Sequence, residues 1–383
     1  MNIIFLIYHG FSASSGISKK IRSQIEALRQ LGHTVNVCTY TLNKKGERIR
    51  LMNETIISNY GTGKWAACRK RMCYDTIYQY ALVHHIDMFY VRSFHNANPF
   101  TIRLFRKLKK AGIKIAMEIP TYPYDLEYKG FPWRARLGLY IDQLFRKQLA
   151  SQIDAVITYS DYQEIFGQRT IQISNGVDFD TIPLIKKIHH RPDELHLIGV
   201  AEVHYWHGYD RLIHGLGEYY QRPNSISVYF HIAGGIGPSE MYDSTHAPGF
   251  HELIKKYHIE QYVIFHGQKM GKELDELFSL ADFAIGSLAR HRSHIDNIKT
   301  LKNREYAARG IPFIYSETDD DFDNMPYILK APADESAINI AGIINFLKGM
   351  TIHPDEIRQS ISHLSWKEQM NQVLKKLELW ERK

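Results

Sequence analysis

Lys302, Arg304 and Glu305 stand together at the front of Leu301 to Tyr315, a stretch that reads as a short helix broken by Gly310 and Pro312 before a β-like run. A carboxylate at that place can accept two ribose hydroxyls, and a helix N-terminus with flanking cations receives a diphosphate. The combination suits a nucleotide-sugar better than a protein or a nucleic acid. Ordinary α/β packing with charged surface positions would explain the same residues, so the segment needs support from elsewhere in the chain.

Other groups with chemical potential are fewer. The loop His9-Gly-Phe-Ser-Ala-Ser-Ser-Gly16 has neither a dinucleotide fingerprint nor the Gly-Lys-Ser/Thr of a P-loop. Its small residues allow a ligand close to the backbone, or make a plain strand–helix turn. The next strand ends Cys38-Thr-Tyr40, without the acidic residue that holds a dinucleotide ribose, which disfavours a nicotinamide dehydrogenase. Asp319-Asp-Asp321 with Asp323 has the composition of a cation site but not the ordered spacing of a calcium loop, and is read as a solvated acidic loop. Cys38, Cys68 and Cys73 are an odd set without metal-ligand spacing. They indicate neither a disulfide framework nor zinc, and a reducing compartment follows.

The elements that must carry these residues alternate between strand and helix periods. Ile3 to Ile7 is an apolar run. A helix follows with Ile17, Ile21, Ile25 and Leu28, then strands at Thr34 to Tyr40, Asp87 to Val91, Lys114 to Met117 and Ala155 to Thr158. A basic helix starts at Asn98, and a short one is expected from Tyr162 to Phe166. The pattern restarts at Leu195 to Val200, with further strands at Ser227 to Ile232, Val263 to Phe265 and Phe283 to Ile285, and helices between them. This alternation predicts parallel sheets covered on both faces. At 383 residues the chain exceeds one typical core. The expected division is a first domain over 1–185, a second over 186–360 opening with a polar linker, and an amphipathic helix within 361–383 that crosses back to the first domain.

The net charge is +7, and its cations are unevenly placed. Runs occur at Arg69-Lys-Arg71, at Lys107-Leu-Lys-Lys110, and across Arg134, Arg136, Arg146 and Lys147, the last among Phe131, Trp133, Tyr140 and Phe145. Such helices can lie on an anionic leaflet; a solvated helix face is the equal alternative. Without a reading module beside the charge, nucleic-acid binding is disfavoured. Met1 to Ile7 has no basic prefix or cleavage site and is expected to be a buried strand, not a signal.

Taken in order, several motifs resemble one family. They are the Gly16 loop, Ser174-Asn-Gly-Val-Asp178, Trp206-His-Gly-Tyr-Asp-Arg-Leu212, Gly234-Gly235, Phe265-His-Gly267 and the Glu305 helix. Over nearly its full length the chain resembles the retaining glycosyltransferases of family 4. Glu118-Ile-Pro-Thr-Tyr-Pro-Tyr124 and Gly286-Ser-Leu-Ala-Arg-His-Arg292 are closest to the bacterial capsular and exopolysaccharide members. The resemblance implies two facing Rossmann-like domains (the GT-B architecture) with an interdomain cleft. It also implies hexosyl transfer from a nucleoside-diphosphate sugar to a glycan or polyprenyl-linked glycan hydroxyl, in the cytoplasm or peripherally on the inner membrane face.

Retention by same-face attack asks chiefly that charge on the departing diphosphate be stabilised. Protein cations would replace magnesium, so no metal and no obligatory cofactor are expected. The family's paired glutamates fall on Asn297 and Glu305, and its cationic clamp on Glu202 and His207. The clamp is therefore expected to move to Arg292, Lys302 and Arg304, with His207 as a neutral donor and Gly16 and Gly235 beside the nucleotide. The carboxylate expected nearest the acceptor is Glu118. A nucleotide-sugar epimerase or a non-catalytic glycan-binding protein would share the architecture.

Overall fold

The computed structural model describes all residues except 13–15, 96, 126–131, 186–191, 238–240, 242–247, 296 and 380–383. Phe131, the middle of the His9–Gly16 loop and most of the expected linker lie outside the described residues. The chain forms two compact units, Met1–Ser174 with Trp366–Lys383, and Asn175–Ser365.

The first unit is built on a nine-stranded sheet of β1 (Asn2–Leu6), β2 (Thr34–Leu42), β3 (Arg48–Met52), β4 (Thr55–Asn59), β5 (Met88–Arg92), β6 (Lys114–Ile119), β7 (Ala155–Thr158), β8 (Glu164–Ile165) and β9 (Gln168–Gln172). Its order is β4-β3-β2-β1-β5-β6-β7-β9-β8. Central strands are parallel and buried on both faces, which is why Ile3 to Leu6 reads as a continuous apolar run. One face is covered by α1 (Gly16–Gln30) and by the C-terminal helix, through Ile21, Ile25 and Leu28 against Trp366, Met370 and Val373. The other face carries α2 (Gly63–Met72), α3 (Asp75–Val83), α4 (Pro99–Lys110) and α5 (Trp133–Ala150). Asn98 starts α4 by accepting the Phe100 and Thr101 amides at 2.9 and 3.1 Å, with Pro99 in the first turn where its missing N–H costs nothing.

The second unit has six parallel strands: β10 (Glu194–Val200), β11 (Ser227–Ala233), β12 (Val263–Gly267), β13 (Phe283–Ile285), β14 (Phe313–Tyr315) and β15 (Ile328–Lys330), ordered β12-β11-β10-β13-β14-β15. Its helices are α6 (Tyr209–Tyr220), α7 (Phe250–Tyr257), α8 (Lys272–Leu280), α9 (Leu301–Ala308), α10 (Ile340–Gly349) and α11 (Pro354–Ser360). The chain then enters α12 (Trp366–Leu379), which packs on α1 of the first unit's own core, as the amphipathic pattern predicts. Sheet order reverses between β10 and β13, and such a switch point opens a ligand crevice beyond the strand carboxyl ends. Among the described residues no helix is long and apolar enough to cross a membrane.

Two local expectations need correction. Residues 162–166 do not form a helix. Phe166 and Gly167 both take positive φ, 56° and 81°, and turn β8 back on β9. The first sheet is also not wholly parallel, because β2, β3 and β4 form an antiparallel edge.

Candidate functional site

The second unit gathers a polar cluster where β10, β13 and β14 end. From β10 the chain enters a short 3-10 turn, Tyr205–His207, and then α6. Gly208 joins them at φ 64°, and a side chain there would meet the Ala289 Cβ at 2.8 Å. That close approach presses the turn onto the segment after β13, where the Leu288 amide donates to the His207 carbonyl at 2.9 Å. The His207 ring is buried, and its Nδ1 accepts the His204 amide at 2.9 Å. Burial first, then Lys302 and Arg290, hold its pKa well below the usual imidazole range. The ring is therefore neutral with its proton on Nε2.

Lys302 lies in the first turn of α9. Its stem is partly exposed but its Nζ is enclosed, without a hydrogen-bond partner among the described residues. Burial, reinforced by Arg290, lowers its pKa to about 7, while Glu317 pulls the other way. Glu317 follows β14, fully enclosed, with both carboxylate oxygens unpartnered. Burial pushes its pKa up to about 7 against the pull of Arg290 and Lys302. Around them Ser287 Oγ, Thr300 Oγ1 and both amide atoms of Asn303 are also buried and unpartnered. Buried polar atoms are ordinarily hydrogen-bonded, and leaving each unmade costs about 1–3 kcal/mol. A concentration of them at one sheet edge marks a place for a polar ligand, with donors at Lys302, His207 and Asn303 and acceptors at Glu317 and Asn303.

Glu305 lies one turn beyond Lys302 on the same helix. Its Oε1 accepts Arg309 Nε and Nη2 at 3.0 and 2.9 Å, which fixes the carboxylate from the following turn. Asn297 is exposed on the loop before α9, in a backbone bridge to Thr318.

Other expected cations are committed elsewhere. Arg292 places its five donors on Asp210 (2.9 and 2.7 Å), Glu335 and the Tyr205 carbonyl, so none is left for a phosphate. Arg304 is buried and grips Asp319 at 2.5 and 2.9 Å and Asp321, besides the Thr300 and Asn175 carbonyls. The acidic run is thus not a solvated loop, since Asp319 is buried against Arg304 and Asp323 receives Tyr315 and Lys330. Among the described residues no cluster of His, Cys, Asp and Glu could hold a metal. At Gly235 an added side chain would meet the Glu202 carboxylate at 2.5 Å. Gly16 opens α1 with open space around it.

Glu118, in the first unit, sits at the end of β6 with no exposed surface. Its carboxylate accepts Tyr90 at 2.6 Å and Gln24 at 2.7 Å, pairs with Lys20 at 3.4 Å and is bound by Arg92. Burial alone would raise its pKa, but Lys20 and Arg92 overcome that and hold it at about 2. So placed, it is a buried structural anion and not a base. Sequence reasoning missed Glu317, Ser287, Thr300 and Asn303. Ser287 and Glu317 each follow a strand end closely, and that was the available signal.

No family model and no curated protein matches the chain. Solved structures do, over its whole length. A glycosyltransferase from Rickettsia africae has a TM-score of 0.63 at 12% identity, covering 98% of this chain and 97% of that one. The sucrose-phosphate synthase of Thermosynechococcus elongatus gives 0.63 at 15% identity, covering 100% and 98%. An Anabaena protein solved with UDP-glucose gives 0.57 at 15%, covering 99% of each. At these identities the likeness is one of fold, and the chain has the two-sheet GT-B fold of these proteins.

Proposed function

We propose that the protein is a glycosyltransferase that binds a nucleoside-diphosphate sugar at the carboxyl edge of its second sheet. The enclosed, unpartnered set of Lys302, Glu317, Asn303 and Ser287 beside neutral His207 carries this reading. Lys302 and His207 Nε2–H would meet the diphosphate, with Arg290 replacing the committed Arg292 as a second cation. Glu305, steadied by Arg309, would take the ribose hydroxyls. Asn297 would reach the sugar from the loop before α9. One of the solved structures of similar fold was determined with UDP-glucose, which supports the donor class.

Retention follows if the acceptor hydroxyl attacks from the face the diphosphate leaves and gives its proton to the departing phosphate oxygen. The protein's task is then to stabilise the negative charge that develops there, which Lys302, Arg290 and His207 can do. The acceptor is a glycan or polyprenyl-linked glycan of bacterial surface-polysaccharide synthesis, handled at the inner face of the membrane.

Incubation with labelled uridine and guanosine nucleotide-sugars, with and without a polyprenyl-linked acceptor, tests the reading. Sugar appearing on the acceptor, also in chelator, is the expected result. A changed nucleotide-sugar without acceptor would mean an epimerase, and donor binding without turnover a binding protein; either would overturn the proposal.

A further inference from the structure

The helices α2, α3, α4 and α5 lie on one face of the first unit's sheet, with α4 in contact with the other three. Their charge is one-sided. All ionised side chains of α2 and α4 are cations, the single acid of α3, Asp75, pairs with Lys107 at 3.2 Å, and the single acid of α5, Asp142, is buried against the Ala97 amide and Tyr124. On α5 the outward face is apolar. Trp133, Leu137, Tyr140, Ile141 and Leu144 are exposed, Trp133 to 68% and Leu144 to 59%. Their spacing of four, three, one and three residues makes a single helical stripe, opposite the face that holds Asp142 and Leu149 in the core. Exposed Arg136 and Lys147 flank the stripe on one side and Arg134 on the other. Two residues expected to wedge or bind from sequence do neither: Phe145 packs against the core and Arg146 pairs with Asp125 at 2.7 Å.

We infer that this face seats the protein on an anionic lipid bilayer, with the α5 stripe entering the headgroup boundary and the cations of α2, α4 and α5 meeting lipid phosphates and carboxylates. Aromatic and aliphatic side chains between cations are what an interfacial helix requires, and Trp133 and Tyr140 suit the boundary itself. A second copy of the chain fits poorly, because pairing this face with itself would oppose cation to cation. Nucleic acid fits less well, because Trp133 and Tyr140 are the two rings of the stripe and Leu137, Ile141 and Leu144 offer nothing for a base to stack on. The inference deepens the membrane placement proposed above but requires no sugar transfer. A soluble acceptor assay keeps the two questions apart.

Flotation with phosphatidylcholine vesicles, plain or containing phosphatidylserine, tests it on the full chain. Wild type should float with the acidic vesicles at low salt and release as salt rises. Replacing Arg134, Arg136 and Lys147 by glutamine should lower binding at least about tenfold, at roughly 1 kcal/mol per cation. Leu137→Ser with Leu144→Ser should remove the salt-resistant remainder. Brominated lipid should quench the emission of Trp133, read as the signal lost in Trp133→Phe. Thermal unfolding of each variant shows that it is folded, and turnover on a soluble acceptor should be unchanged. Failure to float with acidic vesicles would overturn the inference. So would bound protein whose Trp133 is not quenched, a dimer abolished by the stripe variant, or RNA binding lost in the glutamine variant without vesicle uptake.

Discussion

Two buried charged clusters, one in each unit, have opposite histories of satisfaction. Around Glu118 every charge is answered: Lys20, Arg92, Tyr90 and Gln24 converge on one carboxylate, whose pKa sits at about 2. Around Lys302 and Glu317 the charges face each other without hydrogen bonds, and burial draws both pKa values to about 7. A satisfied buried ion is part of the architecture, because removing one member strands the rest. An unsatisfied pair is held in place by the surrounding fold at a cost to stability, and a bound anion can offset that cost. The same residue types thus serve structure in one unit and, on this reading, ligand binding in the other.

The largest expected effect separates them directly. Glu118→Ala leaves Lys20 and Arg92 buried without their counter-ion and should destabilise the protein by about 3–5 kcal/mol in chemical denaturation. Lys302→Met should leave stability unchanged or slightly raised, since it removes a buried charge without a bonded partner. Equal destabilisation by the two would erase the distinction.

Next in size is ligand binding. Lys302→Met should weaken a nucleoside diphosphate by more than about tenfold, roughly 1.4 kcal/mol, in titration calorimetry. Unaltered binding would move the diphosphate elsewhere.

The pH profiles should also diverge. Lys302 is protonated and Glu317 neutral below about 7, and both conditions favour an anionic ligand. Diphosphate affinity should therefore fall as pH rises from 6 to 8, and Lys302→Met should flatten the profile. Glu118 has a depressed pKa, so its contribution to stability is present above about 4.5 and is lost as pH falls through about 2. Denaturation measured across acid pH should show that loss in wild type and not in Glu118→Gln.

The smallest effect concerns Glu305→Gln, which exchanges charged for neutral hydrogen bonds to the ribose and should cost about 1 kcal/mol of donor affinity. Loss of the Arg309 contact without any change in donor affinity would confine Glu305 to helix geometry.

Most of the fold was legible because it rests on local period. Ile3 to Leu6 and Phe283 to Ile285 are continuous apolar runs bounded by turns, and α4 and α12 show helical spacing with clear starts. The residues 162–166 were misread because the turn at Phe166-Gly167 depends on backbone angles that an apolar spacing does not encode. Of the residues proposed for the site, Lys302, His207 and Glu305 could be named from motif order. Glu317, Asn303, Ser287 and Thr300 could not, because they bear ordinary side chains on ordinary turns.

The sequence alone determined the alternating strand–helix architecture, the return of the last helix to the first core, and the uneven distribution of cations. Those follow from which residues are apolar and how they are spaced, a property of neighbours along the chain. Tertiary structure decided which charges are spent. Arg292 and Arg304 are indistinguishable from Lys302 as cations in a string of letters, yet Asp210, Glu335, Asp319 and Asp321 consume the first two and leave the third enclosed and unbonded. A charge becomes available or committed only through partners brought together by folding, and through the burial that sets how much an unmade bond costs.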